Sequence, residues 1–226
     1  MVKSERIPFR SRPMPDYTGG EEIFNMVSHL VGAVFGVIAL VLGVVNSALR
    51  ENIWSVVSSA VYGGSMVSLY TVSGIYHGLR PSMGKRVMQI IDHCTIFLLI
   101  GGTYTPVVLS GIRPCFPGWG WALFGIVWGC SALGITFTAI DMKRYARLAM
   151  ALYLGIGWCV VLAVKPAMAS IPAEGLLWIL AGGVAYTVGA VIYGMGKRHR
   201  YMHSVFHVFV VAGSVLQFFG IFFYVI

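Results

Sequence analysis

From Ile23 to the C-terminus the chain is one long apolar run after another, and the connections between the runs are too short to hold a domain of their own. A run of about 20 mostly apolar residues is what a helix needs to cross a bilayer. Seven segments meet that requirement: 23–47, 53–78, 89–111, 119–139, 146–165, 175–195 and 202–226. Hydrocarbon offers no hydrogen-bond partners, so each segment must satisfy its backbone internally, which makes it a helix. The expected fold is all-α: a seven-helix transmembrane domain over 21–226, preceded by a polar tail over 1–20. The first run follows that tail and exceeds the roughly 7–15 apolar residues of a signal peptide, so it reads as a span.

Charge supports this reading. Only 11% of residues are charged, against about 25% in soluble domains. A net charge of +8 suggests nucleic acid until the basic residues are placed. Thirteen of them fall in the tail and in the second, fourth and sixth connections: Lys3, Arg6, Arg10, Arg12, Arg80, Lys85, Arg86, Lys143, Arg144, Arg147, Lys197, Arg198 and Arg200. Three fall on the other side: Arg50, Arg113 and Lys165. Cytoplasmic loops carry the excess of Lys and Arg, so the N-terminus is expected in the cytoplasm and the C-terminus outside. The basic balance then needs no nucleic-acid partner. The last span holds no lysine, which excludes a retinal protein.

Connections such as "LRPSMGKR", "GIRPCFPG" and "KPAMASIPAEG" carry turn residues. The pairs Gly32/Gly36 and Gly125/Gly129 have the spacing of close helix packing. Cys94, Cys115, Cys130 and Cys159 lack metal-ligand spacing and read as unpaired packing residues.

Ionisable groups inside spans carry a functional hypothesis by default. Here they are His29, His77, Asp92, His93, His203 and His207, with Glu21 and Glu22 at the edge of the first span. Alternation of direction puts all of them in one leaflet. His77 ends the second span, Asp92 begins the third, and His203 and His207 begin the seventh. Four residues separate His203 from His207, so both project from one helix face. That face supplies two metal ligands, and His77 is the natural third. Three neutral imidazoles plus a water are the open coordination of catalytic zinc, although imidazole also accepts other divalent ions. Asp92 is placed to hold that water or take its proton. Ser73, one turn before His77, is placed to bond a ligand or a substrate carbonyl. His93 is rotated about 100° from Asp92, and it and His199 read as ordinary helix-end histidines.

The segments "EEIFNMVSHLVG" (21–32), "SGIYHG" (73–78), "DHCTIFLLIGGTYTP" (92–106) and "HSVFHVFVVAGS" (203–214) resemble the hemolysin III family. That family is the bacterial branch of the progestin and adipoQ receptor (PAQR) proteins, within a membrane hydrolase superfamily that includes alkaline ceramidases. The superfamily pattern is matched at Ser73 and His77, at Asp92, and at His203 and His207. The resemblance implies one zinc ion on the three histidines, Asp92 acting through water as general base, and Ser73 in support. It also implies seven spans with the N-terminus inside, in a bacterial inner membrane. Asn25, Ser28 and His29 match the bacterial pattern, with His29 in a structural or outer role rather than as a ligand. The function expected is zinc-dependent hydrolysis of a lipid amide or ester, with a role in membrane lipid homeostasis. The alternatives are a pore-forming cytolysin, or a lipid-sensing receptor-like protein whose zinc is structural. No GxSxG or HExxH motif is present. Substrate and oligomeric state are not legible.

Overall fold

Helix α1 (Gly19–Leu49) starts where Thr18 caps it. The Thr18 hydroxyl accepts from the Glu21 N–H, and the Glu21 carboxylate accepts from the Thr18 N–H at 2.8 Å. This capping box satisfies two otherwise orphaned donors. Its 31 residues span about 46 Å. Asn52 caps α2 (Ile53–Gly78), and Ser82 caps α3 (Met83–Pro106) through the Lys85 N–H. The chain then passes through a π turn (Val107–Ile112) into α4 (Pro117–Asp141), which has proline in its first turn. Next come α5 (Ala146–Gly157), a 3-10 segment (Cys159–Ala163) and α6 (Val164–Ser170), then α7 (Ala173–Met195) and α8 (Met202–Tyr224). The computed structural model describes residues 14–195 and 199–226, and no strand occurs among them. The basic residues placed at 3, 6, 10, 12, 197 and 198 lie outside the described residues.

Among the described residues the architecture is therefore all-helical, with seven rods. Among the described residues, six rods have the length and apolar composition to cross a membrane: α1, α3 with its π turn, α4, α5–α6, α7 and α8. Helix α2 is the seventh rod and is not one of the six. Its buried positions include Ser55, Ser58, Ser59, Gly63, Ser65 and Ser73, small residues that let neighbouring backbones approach. At Gly63 an added methyl group would lie 2.5 Å from the Leu40 Cα. Helix α2 thus spends its surface on α1 and α3, its main neighbours, and presents little to the outside.

Outer faces are apolar, as at Ile23, Val31, Val34, Leu133, Leu162, Leu177 and Phe223. The interior is unusually polar. The Tyr70 and Tyr186 hydroxyls meet the Ser214 hydroxyl at 2.6 and 2.7 Å, and the Tyr62 hydroxyl donates to the Ser214 carbonyl at 3.3 Å. This network joins α2, α7 and α8.

Two expectations are corrected. The fifth span is not one helix ending near 165: it breaks at Trp158, tightens into the 3-10 segment and resumes to Ser170 with Pro166 inside it. The Gly32/Gly36 pair does sit at a close contact, because a methyl group at Gly32 would lie 2.8 Å from the Tyr70 ring. Gly125 and Gly129 have nothing within 4 Å, because that face of α4 points outward. All four cysteines are unpaired: Cys159 is buried and Cys115 exposed.

Candidate metal centre

The last turn of α2 and the first two turns of α8 meet at one end of the bundle. Helix α8 is held there by its predecessor, Tyr201, whose φ is 60°. The Tyr201 N–H donates to Glu21 Oε1 at 2.7 Å, so the start of α8 is tied to the capping box of α1. His203 Nε2 lies 3.4 Å from His77 Nε2 and 3.0 Å from His207 Nε2. Ligand atoms of the three histidines all fall within 4.8 Å of one another.

The donor set fits a cation. Two imidazole nitrogens at the ordinary zinc distance and the tetrahedral angle are about 3.3 Å apart, close to the separations found. Protonation alone accounts for the cluster poorly. His203 Nε2 takes part in both close contacts, and one nitrogen carries either a proton or a lone pair. Neutral rings can therefore form at most one well-directed hydrogen bond among the three.

The surroundings hold the rings in place. His77 is fully buried, with Nδ1 2.6 Å from Glu22 Oε2. The other oxygen of Glu22 accepts from Lys85 Nζ at 2.6 Å. His29 stacks on His207 with centroids 3.6 Å apart and meets Tyr70 edge-on. Neither of its nitrogens has a hydrogen-bond partner among the described residues, and its observed contact is packing against a candidate ligand. Tyr17, just before α1, stacks on His203 at 5.0 Å; part of the segment read as a tail thus covers the site. Burial raises the Tyr17 hydroxyl well above its ordinary range, so it is a neutral donor.

Ser73 and Asp92 face each other and line the same cavity as His203 and His207. The five residues singled out by spacing and depth therefore come together from α2, α3 and α8. His93 Nδ1 donates to the Gln89 carbonyl at 2.9 Å, the satisfied helix histidine that was expected. Its position beside both cavities was not foreseen.

The first cavity, of about 160 Å³, leads from the histidines into the bundle between α3, α5, α7 and α8, past Tyr104, Trp158, Tyr186 and Gln217. Gln217 lies ten residues beyond His207, about 15 Å along the helix. A second, more open cavity of about 880 Å³ lies on the side of Asp16, Lys143 and Arg200. The two share His93, Met150, Tyr153, Tyr193 and His203. His203 thus stands where the apolar inner pocket meets the more polar outer one.

Sequence reasoning named Glu22 as a candidate without a specific role, counted Lys85 as a loop cation and gave Tyr17 no role. One signal was present: Glu22, Asn25 and His29 recur at intervals of three and four, which puts them on one face of α1. Nothing local marks Lys85 or Tyr17.

Residues 17–218 match the family model described as "Haemolysin-III related". Over 208 residues the chain is 36% identical to "Hemolysin-3 homolog" of Bacillus subtilis (strain 168), covering 92% of this chain and 96% of the relative. It is 34% identical to "Hemolysin-3" of Bacillus cereus over 206 residues, covering 91% and 92%. It is 23% identical to human "Monocyte to macrophage differentiation factor" over 226 residues, covering 96% and 89%.

Proposed function

The chain belongs to the haemolysin-III-related family of multi-pass cell-membrane proteins, and from that premise we propose that it is a zinc-dependent hydrolase of a lipid amide or ester. The observation that carries this reading is the convergence of three histidine ligand atoms within 4.8 Å, two of them, His203 and His207, lining a largely apolar cavity. His77, His203 and His207 would hold one zinc ion, and the chemistry supplied there would be Lewis acidity and a more acidic water.

The chain's own residues do the rest. The apolar cavity takes the acyl chain and sets the carbonyl beside the histidines. Asp92 accepts a proton as water adds to that carbonyl, then returns it to the amine or alcohol as the bond to the acyl carbon breaks. Ser73 orients the Asp92 carboxylate. Tyr17 and Tyr193, whose rings lie against His203, limit the approach of bulk water. Through this activity the protein adjusts membrane lipid composition. In this reading α2 is the seventh span, shielded by its neighbours, and the basic connections put the N-terminus and the centre on the cytoplasmic side.

The name of the Bacillus cereus relative, "Hemolysin-3", prompts lysis as the second reading. Leu69, Ile96, Leu99, Ile100, Phe206 and Val210 along the cavity favour an acyl chain over a file of water. Purified full-length protein is expected to release fatty acid from a ceramide-like lipid, with His207→Ala abolishing both zinc content and turnover. Release that survives chelation would overturn the hydrolase reading. Conductance in planar bilayers would favour lysis.

A further inference from the structure

We infer that Glu22, fixed by Lys85, is the positioning residue that turns the Nε2 lone pair of His77 toward the metal; this rests on the proposal that the three histidines bind a cation. A carboxylate only accepts hydrogen bonds. At 2.6 Å from Glu22 Oε2, His77 Nδ1 must be the protonated nitrogen, which leaves Nε2 with a free lone pair. Asn25 Nδ2 lies 3.5 Å from the same Nδ1, but a second donor has nothing to offer a nitrogen that already carries hydrogen. Glu22 therefore sets the tautomer.

Lys85 fixes Glu22. Its Nζ donates to Glu22 Oε1 at 2.6 Å and to the Leu79 carbonyl at 2.9 Å. Lys85 is buried, so this ammonium belongs to the interior and not to the solvated loop in which sequence counting placed it. Leu79 caps the C-terminus of α2, two residues after His77. One carboxylate thus joins the start of α1, the end of α2 and the start of α3 around a single imidazole. Carboxylates hydrogen-bonded behind metal-ligating histidines commonly contribute 10–100-fold in affinity.

The arrangement makes an asymmetric prediction. In Glu22→Gln the amide oxygen turns to the Lys85 ammonium and the amide NH₂ is left facing His77. That favours the tautomer with hydrogen on Nε2, which cannot bind metal. Removing the ammonium in Glu22→Gln/Lys85→Met frees the amide to reverse and present its oxygen to Nδ1.

The test is competition titration of zinc, against a chromophoric chelator, into purified, metal-stripped, full-length protein. Glu22→Gln is expected to bind zinc about 10–100-fold more weakly. The double variant is expected to recover several-fold of that loss, and Lys85→Met alone, which frees Glu22 but keeps its carboxylate as acceptor, to weaken binding less than Glu22→Gln does. A purely structural brace would make the double variant weaker than Glu22→Gln. That outcome, or wild-type affinity in Glu22→Gln, overturns the inference while the metal centre stands. No saturable zinc binding by the wild type overturns the centre and the inference together.

Discussion

Chelation should lower the melting temperature of the wild-type protein and leave the histidine variants unmoved. His203 Nε2 takes part in two contacts, at 3.4 and 3.0 Å, and without a cation it has a single proton or lone pair to serve them. At least one ring nitrogen is then poorly satisfied, at a cost of about 1–3 kcal/mol. A cation on the three nitrogens removes that conflict and ties α2 to α8. A ligand present at about 1,000 times its dissociation constant stabilises the folded state by about 4 kcal/mol. For a chain of this size each kcal/mol is worth about 2–4 °C, so the expected shift is about 8–16 °C. The assay is a thermal scan of purified protein in one detergent, with zinc and with a strong chelator. His77→Ala, His203→Ala and His207→Ala should each melt at one temperature whether zinc or chelator is present. A wild-type transition that ignores chelation, or a shift that survives in the variants, would refute the reasoning.

Asp92→Asn should keep zinc content and lower turnover by about 10²–10⁴-fold, as read by metal analysis beside fatty-acid release; retention of wild-type turnover would remove Asp92 from the mechanism. Cys115 is the exposed cysteine and lies between α3 and α4, so a membrane-impermeant thiol reagent should label it in intact cells if the N-terminus is cytoplasmic, and only after lysis if the orientation is reversed. Gly183 lines the inner cavity, with nothing within 4 Å of an added methyl group. Gly183→Phe should therefore leave zinc binding intact and lower turnover of long acyl chains relative to short ones, and an unchanged chain-length profile would show that the cavity does not hold the tail.

The helical rods were legible because hydrocarbon leaves an apolar run few conformational choices. The three histidines with Asp92 and Ser73 were legible because four-residue spacing and alternating span direction are long-range geometry written in one dimension. What escaped had no such signature. The break at Trp158 lies in an unbroken apolar stretch, so hydropathy carries no mark of it. Helix α2 passed as an ordinary span because its serines and tyrosines are tolerated only where neighbouring helices cover them, a fact of packing. Gly125 and Gly129 share the spacing of Gly32 and Gly36, and only the direction of the helix face separates a contact from an outward surface. Lys85 looked like one more loop cation, because the carboxylate that holds it comes from 63 positions earlier.

Depth links the site to a kind of substrate. His203 is the second residue of α8 and His207 the sixth, and His77 is next to last in α2. The candidate ligands thus lie within about two helical turns of the rod ends. A dication at mid-bilayer would face the full cost of charge in hydrocarbon. At this depth the Asp92 carboxylate counters part of that charge within the protein, the Glu22–Lys85 pair being neutral overall. The acyl carbonyls of membrane lipids sit at the same boundary, between headgroups and hydrocarbon, while their chains run inward. The apolar cavity runs inward too, about 15 Å from His207 to Gln217, and the polar mouth faces the other way. If the substrate is the lipid ester or amide proposed above, a lipid entering along its natural orientation would bring that bond to the histidines without leaving the depth it already occupies. A hydrolase acting on headgroup phosphates would need its centre further out, and one acting on the middle of a chain would need it deeper. Under the proposed hydrolase function, the position of three imidazoles along two helices therefore favours the acyl bond as the one within reach.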